Sequence, residues 1–286
     1  MPRIDDRWLD SIVYVYPSIA SAEAGERVGG CGFLLGVPWE SDQAKPSAER
    51  RQHTYVVTNS HNIREHKGLV IRFNTRDGRG DVLETVESQW EHHPDDDDLA
   101  VCLVDPPSED YATNLVPVDA CVNAFHVNML GLGPGDNVFA LSRFIGHDGE
   151  QRNAPIVRFG HLSMMPIEPV RHQRGYDVDA FLVEALSLSG HSGSPVFVYF
   201  SDDAFSKPAL RSEIPLPTIR GPWLLGVDFA HMPSYAVLQD NEGDHPKGWN
   251  VEINSGLMAV SPGWKLQEWL KRPDMSAPRL IREQAE

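Results

Sequence analysis

Punctuation constrains this chain more than periodicity does. Gly (23) and Pro (22) are spread along the 286 residues rather than clustered, and between them lie short runs rich in Val, Ile, Leu and Phe. Eleven such runs read as strands: 11–16, 32–37, 54–58, 69–73, 99–104, 137–142, 156–164, 180–185, 195–199, 223–229 and 257–260. β-Branched and aromatic residues suit a pleated surface, and turn residues between short runs indicate an all-β sandwich or barrel. The strand–helix alternation that a parallel sheet requires is absent. One helix is predicted near the C-terminus: Ser261-Pro262 begins it, Trp264, Leu266, Trp269 and Leu270 give it an apolar face, and Pro273 stops it. From Asp274 the chain reads as a tail, either flexible or docked on the surface. The polar stretches 39–53, 201–222 and 232–250 read as long loops, which in a compact domain are often functional.

Composition narrows the partners. A net charge of −16 repels phosphate backbones and anionic lipid headgroups, so neither nucleic acid nor a membrane is expected as partner. It weakly favours basic peptide stretches. No run of 18 apolar residues is present, and the opening Met-Pro-Arg-Ile-Asp-Asp-Arg lacks an apolar signal core. The three cysteines, Cys31, Cys102 and Cys121, are odd in number and widely spaced, which gives no disulfide framework. Cys31 and Cys102 fall in apolar runs and are expected to be buried free thiols, which suits a reducing compartment and a cytoplasmic protein.

Three short segments carry chemistry. In Ser189-Gly190-His191-Ser192-Gly193-Ser194-Pro195, glycines flank a serine just before an apolar strand. Such a turn exposes the hydroxyl, lets a carbonyl approach closely, and leaves the N–H groups of Gly190 and Ser192 as candidate oxyanion-hole donors. The alternative elbow, Gly-x-Ser-x-Gly, needs a glycine where Ser194 stands and a helix where a strand follows. In Tyr55-Val56-Val57-Thr58-Asn59-Ser60-His61, an apolar run ends in a histidine placed to face a cleft. In Asp97-Asp98-Leu99-Ala100-Val101, an acid leads directly into an apolar run. Taken singly, such a histidine is more often structural, and such an acid more often belongs to a solvated loop. Together they follow the order His61, Asp98, Ser192, each at a strand boundary. A metal site on His92, His93 and Asp95 to Asp98 is disfavoured, because adjacent loop histidines do not converge on one ion. No metal and no cofactor is expected.

These segments resemble the chymotrypsin-like (trypsin-like) serine protease family. The block ending in His61 resembles the family's block around its catalytic histidine. Asp98-Leu99-Ala100 resembles its Asp-(Ile/Leu)-Ala block, and Gly190 to Pro195 its Gly-Asp-Ser-Gly-Gly-Pro block. Gly30-Cys31-Gly32-Phe33 resembles the Gly-Ser-Gly-Phe strand of bacterial members. The likeness runs from about Ser11 to Leu270 and is nearest to HtrA-like or glutamyl-endopeptidase-like single protease domains, with no room after Leu270 for a PDZ domain. It implies an all-β fold of two packed six-stranded antiparallel barrels: an N-terminal segment at 1–10, a first barrel at 11–125 with His61 and Asp98, a second at 126–262 with Ser192, and a C-terminal helix and tail at 263–286.

It further implies a serine endopeptidase with Ser192 as nucleophile, His61 as base and Asp98 orienting it, acting on protein or peptide substrates and open to a regulatory protein partner. A catalytically silent scaffold is the competing reading. His191 stands where zymogens have an acid that pairs with a new N-terminus, and no Ile-Val-Gly-Gly activation sequence is visible, so no zymogen cleavage is expected. The resemblance places the primary pocket at Leu186, Ser187, Leu188, Phe229, Ala230, His231 and Gly256. No acid stands among these positions, so an apolar side chain is the first expectation, with His231 a candidate partner for an acidic one.

Overall fold

The structure, a computed structural model, describes residues 3–95, 97–105, 110–147, 149–172, 175–200, 221–237 and 250–285. Two β units meet face to face. The first is an antiparallel sheet built from β1 (Ile12–Tyr16), β2 (Gly30–Pro38), β3 (Gln52–Asn59), β4 (Val70–Asn74), β5 (Gly80–Glu84), β6 (Trp90–His92) and β7 (Leu99–Val104), in the order β5-β4-β1-β2-β3-β7-β6. A short β8 (Val116–Pro117) pairs in parallel with β2. The second is a closed barrel made of β9 (Asn137–Ser142), β10 (Ile156–Met164), β13 (Phe181–Glu184), β14 (Pro195–Tyr199), β15 (Trp223–Val237) and β16 (Asn250–Pro262), closed in the order β10-β13-β16-β15-β14-β9. A two-stranded ribbon of β11 (Val170–Arg171) and β12 (Asp177–Val178) lies between β10 and β13 in sequence.

Of the two six-stranded barrels expected, one closes; among the described residues the other unit is a sheet with two free edges. The reason lies in its edge strands. β6 is only three residues long, and β5 is largely solvent-facing, so no ladder forms between them among the described residues. A side chain spans part of the gap instead, with the Trp90 indole N–H donating to Thr85 Oγ1 at 2.9 Å.

The continuous apolar runs in the sequence follow from strands buried on both faces. In β14, Val196 and Val198 point into the closed barrel, while Phe197 points outward into the core between the two units. In β2, Leu34 faces the interior of the first unit, while Cys31, Phe33 and Leu35 face the shared core. That shared core runs from Tyr14 and Phe33 through Phe139 and Phe197 to Leu266 and Trp269, so the cleft between the units has a rigid floor.

The C-terminal tail is a helix, not an irregular segment. Pro273 ends α4 (Gly263–Lys271) and opens α5 (Pro273–Ala285), a position where its missing N–H costs nothing. Arg279 of α5 is buried and donates to the Tyr55 hydroxyl at 3.1 Å, and Glu283 faces the His53 ring at 3.0 Å. The 39–53 stretch is held down by this docking. The stretch beginning at 232 also departs from the loop expectation: β15 continues to Val237 and returns as β16 from Asn250, a ribbon that projects past the barrel. Residues 201–220 and 238–249 of the predicted loops lie outside the described residues. Among the described residues, no helix is long and apolar enough to cross a membrane.

Candidate active site

His61 sits in the first turn of α2 (Ser60–Arg64), where β3 runs out. Its position is fixed mainly by Asp98. The Asp98 carboxylate accepts the His61 backbone N–H at Oδ1 (3.0 Å) and meets the His61 ring Nδ1 at Oδ2 (2.6 Å). The Asp98 carbonyl accepts the Ser60 N–H and the Asn59 side-chain amide, each at 3.0 Å. Asp98 has φ +50, a conformation unfavourable for a residue with a Cβ, and these four contacts over-determine it. With Nδ1 engaged, Nε2 is the ring nitrogen left for the cleft. The His66 ring packs edge-on against the His61 ring at 5.5 Å between centroids.

Ser192 comes from the opposite unit. Its turn is built by Gly190 (φ +89) and Gly193 (φ +92), both in the region that favours glycine. At Gly193 the fit is also steric, because a Cβ would lie 2.0 Å from the Cys31 carbonyl oxygen. The turn is pinned by His191 N–H to Leu188 O (3.0 Å), Ser194 N–H to His191 O (2.9 Å) and Gly193 N–H to Asp228 O (2.8 Å). The N–H groups of Gly190 and Ser192 bond to nothing among the described residues.

Two residues that sequence reasoning did not single out lock the units together here. The Ser192 carbonyl accepts from Cys31 N–H and from Asn62 Nδ2, both at 3.0 Å, so the helix that carries His61 also grips the serine turn. Asn62 bonds Thr58 Oγ1 at 3.0 Å as well, and a side chain at Gly30 would collide with it. Arg143, fully buried at the end of β9, donates to the carbonyls of Val28 (2.7 Å) and Glu26 (3.0 Å), and its guanidinium lies 4.4 Å from the Tyr16 ring centroid. It thereby holds the 26–30 loop, of which Val28 and Gly29 line the cleft.

The cleft has a volume of about 590 Å³. His61 and Ser192 line it together, with Ser187, Leu188, Phe229, Ala230 and His231 of the predicted pocket. Leu186 and Gly256 do not line it. Leu186 faces solvent, and Gly256 (φ +81) sits at a register shift between β15 and β16, where a Cβ would meet nothing within 4 Å. His231 is paired with Glu252 at 3.1 Å. His191 is wholly buried, with neither ring nitrogen hydrogen-bonded among the described residues, and burial lowers its pKa to about 4, with Arg158 adding to the effect. It is a neutral packing element under the turn. His92 bonds Ser60 Oγ (2.6 Å), while His93 faces Asp97 (3.3 Å), whose carboxylate also takes Lys265. The three cysteines are buried and free; burial pushes Cys31 up to about 11, and Cys102 and Cys121 to about 12.

Sequence reasoning also passed over Asp228. It is the one charged residue in the stretch 223–230, and it is completely buried beside Ser187. A lone acid inside an apolar run was the available signal.

The two β units and the cleft between them have the trypsin-like serine protease fold. Among solved structures, the MamO protease domain from Magnetospirillum magneticum (apo form) matches with a TM-score of 0.51 at 15% identity, over 92% of this chain and 97% of that one. The HtrA-type protease AlgW with tripeptide gives a TM-score of 0.47 at 16% identity, over 94% of this chain and 62% of that one. No family model and no curated protein matches the sequence. At such identities the likeness establishes the fold.

Proposed function

We propose that the chain is a serine endopeptidase. Ser192 Oγ attacks the scissile carbonyl, and His61 Nε2 takes its proton and later delivers it to the leaving amine. Asp98 holds the ring tautomer and stabilises the imidazolium. The N–H groups of Gly190 and Ser192 stabilise the oxyanion of the tetrahedral intermediate. The observation that carries this reading is the 2.6 Å contact of His61 Nδ1 with a buried Asp98 carboxylate, on a histidine that shares one cleft with a serine on a glycine-framed turn. The turn is held by internal hydrogen bonds, and acyl-enzyme chemistry of this kind needs no cofactor. The buried thiols support a reducing location such as the cytoplasm.

One observation favours the silent-scaffold reading: among the described residues, the Ser192 hydroxyl makes no hydrogen bond to His61. Catalytic hydrogen bonds are commonly long before substrate binds, so this contact is expected to form in the complex. A fluorophosphonate probe separates the two readings. An active site is labelled at Ser192 and cleaves peptides, and both activities vanish in Ser192→Ala. A scaffold takes up no label, and full hydrolysis by Ser192→Ala would remove Ser192 from the mechanism.

A further inference from the structure

Behind the serine turn, donor-rich side chains face the interior of the closed barrel without an acceptor. Arg158 of β10 stands opposite Ala140 of β9, which stands opposite Val196 of β14. Directly opposed residues share a face of the sheet, and Ala140 and Val196 belong to the barrel's interior core, so Arg158 points inward. Its Nε is buried and has no hydrogen-bond partner among the described residues. His191 is wholly buried, and neither of its ring nitrogens is hydrogen-bonded among the described residues. The Arg158 charge acts on that ring and adds to the lowering of its pKa, with no acid acting in the opposite sense. Two residues beyond Ala140, on the same face of β9, Ser142 is wholly buried and its hydroxyl has no partner among the described residues. Asp228, the buried acid of β15, is held by Ser187 and by the Ala230 backbone N–H, and neither Arg158 nor His191 acts on it. A buried cation or donor without a partner is costly. Arginines buried elsewhere are matched: Arg72 donates to the Ala22 carbonyl, Arg143 to that of Val28 and Arg279 to that of Leu270.

We propose that Arg158, His191 and Ser142 bind a small inorganic anion of halide size behind the serine turn. Guanidinium offers only donors, a neutral imidazole keeps one N–H, and a hydroxyl can turn its hydrogen to suit. An acceptor-only guest can meet all three, and its charge offsets the partly desolvated guanidinium. Water would add two donors to a site already rich in them. A multiply charged anion such as phosphate would lose far more hydration on entering so enclosed a place. Arg158 is only half-buried, which gives a small ion a way in from solvent. The net charge of −16 repels anions at a distance, but salt screens that field over about 10 Å at ~0.1 M, so the donors in contact decide. Affinity in the millimolar range is expected. The site also has a consequence for the turn. His191 stands between Gly190 and Ser192, so an anion that anchors its ring also steadies the two proposed oxyanion N–H groups. That consequence, unlike the binding itself, rests on the protease reading.

The test is a titration of the full chain with sodium chloride, read by chloride NMR line width. Ionic strength is held constant with sodium gluconate, whose anion is too large for the site. The expected result is excess broadening that saturates in the millimolar range, is displaced by bromide, and reflects a roughly tenfold or greater loss of affinity in Arg158→Gln. Absent or unsaturable broadening overturns the proposal. So does equal broadening in Arg158→Gln, which would mean ions gathered at surface cations only. Should Arg158→Gln not fold, His191→Phe must weaken the same binding, and unchanged binding there is equally fatal. Fluorophosphonate labelling of Ser192 is then timed in the two salts. The unaltered chain is expected to react about fivefold or more faster in chloride, and Arg158→Gln at one rate in both. Saturable binding with an unchanged labelling rate overturns the link to the turn. No labelling in either salt defeats the protease reading, while the line widths still decide the site.

Discussion

Asp98 and Asp228 are both buried acids, one in the turn just before β7 of the open sheet and the other within β15 of the closed barrel. Asp98 accepts on both carboxylate oxygens and on its carbonyl, in a backbone conformation that exists only because those contacts hold it. Asp228 accepts the Ser187 hydroxyl at Oδ2, and its Oδ1 has no hydrogen-bond partner among the described residues. The difference teaches how an interior acid is assigned its work. A saturated acid acts on its neighbours, here by orienting His61.

The largest effects test the saturated side. Replacing the nucleophile in Ser192→Ala is expected to lower kcat for peptide hydrolysis on the order of a million-fold. Asp98→Asn keeps the shape but favours the wrong ring tautomer, and a loss of about ten-thousandfold in kcat is expected. A much smaller loss would mean that the 2.6 Å contact orients nothing that matters to the reaction.

The serine turn comes next. In Gly193→Ala the φ of +92 alone costs roughly 1–3 kcal/mol, and the clash with the Cys31 carbonyl adds to it. Chemical denaturation should show a loss above about 3 kcal/mol, accompanied by loss of fluorophosphonate labelling. Asn62→Ala removes the side-chain link from α2 to the Ser192 carbonyl and leaves that buried acceptor with one donor, so a loss of about 1–3 kcal/mol is expected by the same measurement.

The smallest effects are pH slopes, which sharpen the contrast further. Asp228 has a folded-state pKa of about 8, above its ordinary value of 3.8. The folded chain therefore holds that proton more tightly. The stabilising contribution is complete below about pH 4 and is lost as pH rises toward 8. His191, lowered to about 4 from 6.5, has the opposite sign: its contribution is complete above about pH 6.5 and is lost as pH falls toward 4. Denaturation midpoints measured across pH should lose a downward slope between about pH 4 and 8 in Asp228→Asn and an upward slope between about pH 4 and 6.5 in His191→Gln.

Much of this molecule was legible because strands such as β1, β2, β3 and β14 are buried on both faces, and each of the eleven apolar runs falls on a strand. What escaped is physically coherent. β5 and β6 are short and partly wet, and so carry no apolar run. The 232–237 and 250–256 ribbon is exposed for much of its length, with Tyr235 64% exposed, so its residues resemble a loop. Helix α5 contains Pro278 and docks through a buried Arg279 and through Glu283, groups that read as surface. At the candidate site, three local motifs in one order singled out His61, Asp98 and Ser192, and in the structure His61 meets Asp98 and lines one cleft with Ser192. Asn62 and Arg143 were not, because their roles arise only where the two units meet. Asp228 was hidden by an apolar run whose other members are core.

The central claim is that Ser192 is activated by a histidine held by Asp98. The most direct measurement is the rate of fluorophosphonate labelling, with the modified residue located by peptide mass spectrometry, in the unaltered chain, His61→Ala and Asp98→Asn. The account predicts a single label on Ser192, formed more than about a thousandfold faster in the unaltered chain than in His61→Ala, with Asp98→Asn also strongly slowed. A label elsewhere, or equal rates in all three proteins, would contradict it.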